Sequence, residues 1–346
     1  LDPETLFKMR EEDGLDWERI YPLFPDYKPS SLRGALTRYK QRKAREAGPP
    51  TPEIFGVTAG EEMLDEAEVW ERVVAMSRKR KAVETRKVRQ VIRFSHGPIC
   101  IVNLADIHAG GTGVDYDRLD QDLALIDETP GMFPAVDGDI LDNFIIGKLA
   151  QLQVNRDFSI AAEWVLVKKI LTMMGPKLLW AVGGNHDKWT YSLAGIDYFR
   201  EVVKSIRPGV LYDQDEILVD VYVGEALFKW RIRHKWRGSS QYSPTHAIEK
   251  AAKFDKGKEF DIGIGAHTHE AGVARFFNNG GKTGLAVLCG AYKRHDDHAL
   301  AMGFPKANDM TAVPVILTED GQILTSNSLE AAADYMAAMY DDKGEK

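Results

Sequence analysis

The chain has 346 residues, 44% of them hydrophobic, which is enough for a full core and for more than one domain. Its net charge of −7 excludes binding a polyanion through bulk charge alone. The two thiols, Cys100 and Cys289, lie in apolar runs, which excludes a disulfide framework and fits a reducing cytoplasm; no apolar run reaches bilayer length, so no membrane partner is expected.

From the N-terminus, Glu11, Glu12, Asp13, Asp16 and Glu18 form an acidic stretch around Trp17. Lys28 to Arg45 is basic without one acidic residue, and includes Arg33, Arg38, Lys40, Arg42 and Lys43. Leu15–Ile20, Phe24-Pro25 and Ser30–Leu36 predict helix, turn, helix, with Ser30 or Ser31 as the cap and Leu32, Leu36 and Tyr39 as an apolar face. Gly48-Pro49-Pro50-Thr51-Pro52 predicts a linker. A helical stretch from Glu61 to Val88 follows, with Met63, Ala67, Trp70 and Val74 at helical spacing. Its acidic start and basic end complement the helix dipole, and the basic end also offers a surface to phosphates. Beyond it, strands and helices alternate. Helices are expected at Tyr116–Glu128, Asp157–Met174, Ile196–Lys204 and Pro244–Phe254, and strands at Ile217–Val223, Leu285–Leu288 and Val313–Leu317. The division is 1–47 helical module, 48–95 linker and long helix, 96–328 main domain of alternating strands and helices, and 329–346 C-terminal helix and tail.

Five polar clusters each stand where an apolar, strand-like run stops. They are Asp106-Ile107-His108 after Ile99–Leu104, Gly138-Asp139 after Pro134–Val136, and Gly184-Asn185-His186-Asp187 after Leu178–Val182. His234 follows Phe228–Ile232, and His267-Thr268-His269 follows Phe260–Ile264. Side chains at the carboxyl ends of strands converge on one crevice in α/β folds. Carboxylates, an amide oxygen and imidazoles make a mixed N/O donor set suited to divalent Mn, Fe, Ni or Zn. His267 and His269 are expected to project to one side of an extended segment.

This ordered set resembles the calcineurin-like metallophosphoesterases over about Pro98 to Leu317. The resemblance implies a four-layer α/β/β/α sandwich of two mixed sheets, an α+β fold, joined here to a small all-α N-terminal module. It implies two divalent ions, manganese first, with Fe, Ni, Zn or Mg as alternatives, bridged by Asp139. Asp106, His108 and His269 would complete one site, and Asn185, His234 and His267 the other. His186 would be the proton donor to the leaving group, with Asp187 orienting it and favouring its protonated form. Two features depart from the family pattern: Ala266 stands before His267, and Asp137 occupies a strand position that is more often apolar. Asp137 should point away from Asp139, either into a buried pair with Arg or Lys or into an outer role at the metals. Asp142 and Asn143 can hydrogen-bond to ligands or substrate. Trp236–Ser240 can touch the substrate. Lys293, Arg294, His295 and His298 offer cations to flanking phosphates or form a solvated loop, and His246 opens a helix in a structural role.

The N-terminal segment resembles Myb-like helix-turn-helix modules, which implies a basic second helix reading a DNA groove. Together these features predict a two-metal phosphodiesterase that cleaves nucleic acid, DNA above all, through a metal-bridging hydroxide, in the manner of SbcD-type and phage-encoded nucleases. Alternatives are a phosphomonoesterase or cyclic-nucleotide phosphodiesterase, and a DNA-binding protein with a structural metal centre.

Overall fold

The computed structural model describes residues 2–46, 53–55, 67, 70–71, 73–76, 89–147, 150, 158–238, 240, 242–277, 281–294 and 310–341. The expected 48–52 linker, most of the expected Glu61–Val88 helix, His295 and His298 lie outside these residues. Ala67, Trp70, Glu71 and residues 73–76 are helical, and Trp70 is 69% exposed.

The N-terminal module holds helices α1 (Pro3–Phe7), α2 (Trp17–Ile20) and α3 (Pro29–Glu46). Leu6, Ile20, Leu32 and Ala35 form its core, with Trp17, Tyr21 and Phe24 packed against them. Leu32, Leu36 and Tyr39 are buried, as their spacing requires. The helix starts earlier than the serine cap predicts. Pro29 opens it, and the Lys28 carbonyl accepts from the Ser31 and Leu32 amides. A proline is favoured there because its missing N–H has no partner to lose.

The remaining chain runs β1 (Glu53–Phe55), β2 (Gln90–Phe94), β3 (Ile99–Leu104), α4 (Tyr116–Glu128), β4 (Met132–Val136), α5 (Ile160–Met174), β5 (Trp180–Val182), α6 (Asn185–Ala194), α7 (Tyr198–Ile206) and β6 (Leu211–Asp213). It continues through β7 (Ile217–Val223), β8 (Ala226–Ile232), α8 (His246–Phe254), β9 (Ile262–Gly265), β10 (Gly272–Phe277), β11 (Thr283–Leu288), β12 (Val313–Leu317), β13 (Ile323–Thr325) and α9 (Leu329–Asp341). The 157 start expected for α5 moves to Ile160, because the Ser159 side chain caps the helix by accepting from the Ala162 amide. Residues 53–55, read as linker, add a strand antiparallel to β2.

Two mixed sheets result, one of seven strands in the order β1-β2-β7-β8-β9-β11-β10 and one of six in the order β13-β12-β3-β4-β5-β6. Alternation along the six-stranded sheet divides its side chains between two cores. Ile99 and Ile101 of β3 face the other sheet, packing with Ile92, Val219, Trp230 and Ile264. Cys100, Val102 and Leu104 face α4, α5, α7 and α9. On the far side, Ile248, Ala251 and Ala252 of α8 cover Phe260, Phe276 and Ala286. The layers are therefore α/β/β/α. The strands buried on both faces are the continuous apolar runs of the sequence. The expected C-terminal helix is α9, whose Leu329, Ala332 and Met336 pack into the same helical layer as α4 and α5. Both cysteines are free and buried. No helix among the described residues is long and apolar enough to cross a membrane.

Candidate metal centre

In the six-stranded sheet β3, β4 and β5 run parallel, as do β8 and β9 in the seven-stranded one. The five clusters leave the carboxyl ends of these strands. Backbone bonds knit the loops together: the Asp106 amide donates to the Gly138 carbonyl at 3.0 Å and the His108 amide to that of Asp139 at 3.0 Å. The Tyr292 amide donates to the Asp106 carbonyl at 3.2 Å.

The side chains meet in overlapping groups. Asp106, His108 and His269 form one, Asp139, His234 and His267 a second, and His108, Asp139 and His186 a third; within each, the donor atoms lie within 4.8 Å of one another. Asp106 Oδ1 is 3.6 Å from His269 Nε2, 3.7 Å from His108 Nε2 and 3.8 Å from His234 Nε2. His108 Nε2 and His269 Nε2 face each other at 3.1 Å. Two ring nitrogens at that distance suit a shared cation or a shared proton. His234 Nε2 stands 2.9 Å from Asp139 Oδ2 without hydrogen-bond geometry. The buried oxygens Asp106 Oδ1 and Asn185 Oδ1 have no hydrogen-bond partner among the described residues. Buried oxygens without donors are costly, and a divalent cation is the partner this donor set fits.

The opposite ring nitrogens are tied down. His108 Nδ1 is 2.9 Å from Asp142 Oδ1, and His234 Nδ1 is 2.9 Å from the Asp137 carbonyl oxygen. A donor bond at Nδ1 leaves the Nε2 lone pair facing the centre, the usual arrangement of ligating histidines. Asp142 thus bonds a candidate ligand, and Lys293, 3% exposed, donates to the same oxygen at 3.1 Å. Lys293 is not a solvated cation, because it is buried against Asp142. Arg294 Nε lies 3.5 Å from Asp115 Oδ2.

Charge follows the geometry. Burial opposes ionisation of Asp106 and Asp139, but the imidazoles around them, His234 foremost, hold both carboxyls low. Burial equally opposes protonation of His108 and His234. Asp106 and Asp142 nevertheless raise His108 to about 9, and Asp139 and Asp106 raise His234 to about 10. Two buried carboxylates draw positive charge to this point.

Every non-glycine residue with positive φ among the described residues belongs to this site: Asp106, His108, Asp139, Asn143, His267 and His269. Left-handed backbone costs such residues about 1–2 kcal/mol each. The same left-handed backbone shapes the last motif. His267 and His269 do not alternate along an extended strand; they sit in a bend after β9 at φ 82° and 60°. The Asp106 carboxylate fixes the bend by accepting from the His267 amide at 2.8 Å. Two glycines are steric necessities. A Cβ on Gly184 would come within 2.0 Å of Asp139 Oδ1, and one on Gly138 within 2.5 Å of His234 Nδ1.

The two catalytic candidates come apart. His186 lies at the centre, with Nε2 4.0 Å from Asp139 Oδ2 and its ring centroid 4.0 Å from that of Trp189, the two planes tilted by 33°. Asp187 does not orient it. The Asp187 carboxylate accepts from the amides of Asp139 and Gly184 at 2.8 Å and of Leu141 at 3.3 Å, so it clamps two loops. His186 Nδ1 bonds the Asp142 carbonyl oxygen at 2.5 Å instead. Nor is its protonated form favoured, because burial and then the charge on His108 push it down to about 4.

Asp137 points into the inter-sheet core, as strand alternation requires. It accepts from Trp180 Nε1 at 2.9 Å, with Cys289 Sγ at 3.9 Å; it has no Arg or Lys partner among the described residues. Burial pushes its carboxyl up to about 7. Asn143 donates through Nδ2 to the His186 carbonyl oxygen at 2.6 Å and to Thr190 Oγ1 at 3.1 Å. Sequence reasoning missed Glu163, which is fully buried and accepts from the Asn143 amide at 2.9 Å. Its spacing from Val167, Ile170 and Met174 on one helical face was the available signal. His246 is the first residue of α8.

In the N-terminal module the basic side chains have local partners. Arg33 Nε donates to Tyr21 Oη at 2.5 Å and its guanidinium lies over Trp17, while Lys40 pairs with Glu11 at 2.7 Å. Arg42 and Lys43 lie over Tyr39, and Arg38 is exposed.

No protein-family model and no curated protein matches the sequence. Solved structures do show similarity. Vacuolar protein sorting 29 from Cryptosporidium parvum is 14% identical with a TM-score of 0.35, covering 66% of this chain and 96% of its own. A metallophosphoesterase from Sphaerobacter thermophilus is 14% identical with a TM-score of 0.33, covering 70% and 94%. The calcineurin-like phosphoesterase YfkN from Bacillus subtilis is 14% identical with a TM-score of 0.31, covering 72% and 99%. Two of these three similar structures are phosphoesterases by description, one a metallophosphoesterase and one a calcineurin-like phosphoesterase.

Proposed function

We propose that the protein is a two-metal phosphodiesterase that hydrolyses nucleic acid, DNA being its substrate. The observation that carries this reading is the gathering of Asp106, His108, Asp139, His234, His267 and His269, with Asp106 Oδ1 lacking a hydrogen-bond partner among the described residues. Asp106, His108 and His269 would hold one ion, Asn185, His234 and His267 the other, with Asp139 between them. Ions held there supply Lewis acidity that acidifies water and draws charge from phosphoryl oxygens.

The chain's own residues do the rest. Asp142 and the Asp137 carbonyl keep the Nε2 lone pairs of His108 and His234 directed inward. His186 binds the Asp142 carbonyl oxygen through Nδ1, which leaves Nε2 to carry a proton to the leaving oxygen. An arriving phosphodiester anion favours that proton by its charge. Basic helix α3 supports a nucleic-acid substrate, with Arg38, Lys40, Arg42 and Lys43 as its exposed cations.

The test is Mn²⁺-dependent hydrolysis of a labelled DNA oligonucleotide, an RNA oligonucleotide, bis(p-nitrophenyl) phosphate and p-nitrophenyl phosphate, with Asp139→Asn as the inactive control. DNA cleavage that is lost in the control is expected. Turnover confined to the monoester would overturn the reading, and DNA binding without any hydrolysis would mark a structural metal centre. Lys40→Glu/Arg42→Glu/Lys43→Glu should weaken DNA binding and flatten its salt dependence.

A further inference from the structure

Beside the centre lies a cleft of about 410 Å³, within the size range of small-ligand sites. Asn185 and His234, both candidate metal ligands, line its inner side. Its other walls carry Lys188, Arg233, Lys235 and Arg237 against one carboxylate, Asp215. Lys188 pairs with Asp215 at 2.8 Å, and Arg233 approaches the neighbouring Glu216 at 3.5 Å. Lys235 and Arg237 are exposed, with no ion-pair partner among the described residues.

Alternation along this segment is built in. His234 is fixed through Nδ1 to the Asp137 carbonyl oxygen, and the buried Trp236 donates Nε1 to the Ile264 carbonyl oxygen at 2.7 Å. Pinning residues 234 and 236 inward leaves residues 235 and 237 to face solvent at the cleft. The backbone next to a metal ligand thus displays two cations at fixed positions, beside where a phosphate would react.

We propose that this cleft is a second phosphate subsite. It holds the phosphate next to the scissile one on a nucleic-acid strand, with Lys235 and Arg237 as its cations. The inference rests on the phosphodiesterase reading and deepens it by favouring strands over esters that carry a single phosphate. Cations close to the reacting group hold the strand in register, and their exposure makes the contact salt-sensitive.

The experiment compares thymidine dinucleotides that carry one internal phosphate with those bearing a further phosphate at the 5′ or 3′ end, using the full chain with Mn²⁺. At low salt the extra phosphate at one end should lower KM by about tenfold, with a smaller change in kcat. Lys235→Ala/Arg237→Ala should abolish that gain, and Lys235→Arg/Arg237→Lys should keep it. On a phosphorothioate oligonucleotide, the salt slope of binding should fall by about 0.7 in the alanine variant, the loss of one single-strand phosphate contact. An undiminished gain in the alanine variant would overturn the subsite and leave the phosphodiesterase reading standing. Hydrolysis of bis(p-nitrophenyl) phosphate with no cleavage of any dinucleotide or longer strand would overturn both.

Discussion

Replacing Asp142 tests the support beneath the candidate metal centre. Its carboxylate is fully buried and one oxygen serves two partners, His108 Nδ1 at 2.9 Å and Lys293 Nζ at 3.1 Å. Asp142→Ala therefore removes two things at once. Lys293, 3% exposed and 5.1 Å over the Phe144 ring, loses its carboxylate, and breaking a buried pair costs about 3–5 kcal/mol. His108 loses the acceptor that fixes its tautomer, for which ~10–100-fold in metal affinity is typical. Urea unfolding in the presence of a chelator isolates the first effect, since no metal then contributes to stability. Calorimetric titration with Mn²⁺ reads the second. Asp142→Asn can keep an acceptor oxygen toward both partners while losing the charge, so its metal affinity should fall less. Adding Lys293→Met to Asp142→Ala should recover at least half of the lost stability. An Asp142→Ala variant within about 1 kcal/mol of wild type, with unchanged Mn²⁺ affinity, would refute the argument.

Other substitutions probe the remaining parts. Gly184→Ala should cost ~1–3 kcal/mol and abolish phosphoesterase activity, because the new methyl falls on Asp139; Gly209→Ala, which meets nothing within 4 Å, should melt as wild type does. His186→Ala should cut turnover by about 10²–10⁴-fold while metal analysis stays near wild type. Asp187→Ala leaves the amides of Asp139, Leu141 and Gly184 without their acceptor, so a loss of at least ~2 kcal/mol in urea unfolding is expected; wild-type stability would mean the clamp is dispensable. Mn²⁺ should bind with a stoichiometry of about two per chain in wild type and about one in His269→Ala, by calorimetry.

Much of this architecture is legible because burial on both faces leaves unbroken apolar runs. Strands β3, β7 and β12 and helix α4 begin and end where their patterns do. Short or half-polar strands were not legible: β2 carries Arg93 at an exposed position, and β6 has three residues. The site was legible as a set of donors, each following a strand-like run, but not as a set of supports. Asp187 reads as the partner of its neighbour His186, yet its bonds go to the Asp139 and Leu141 amides, more than forty positions away. Lys293 reads as a surface cation until Asp142, 151 positions earlier, is placed beside it. Helix α6 begins inside the Gly-Asn-His-Asp motif, where no apolar stripe announces it. Spacing reveals which residues a strand delivers, whereas hydrogen-bond partners depend on closure of the whole fold.

The left-handed backbone collected at the centre has a consequence for how this protein tolerates change. His267 and His269 hold postures that a free chain avoids, kept there by neighbours rather than by preference. Replacing either with glycine, which adopts positive φ without penalty, should therefore remove a candidate metal ligand while barely lowering, or even raising, the melting temperature of the metal-free protein. A comparable truncation of Trp180 or Trp230 between the sheets should do the opposite and unfold the molecule. Mutational scans read by thermal stability alone would pass over the residues on which the proposed hydrolysis would most depend.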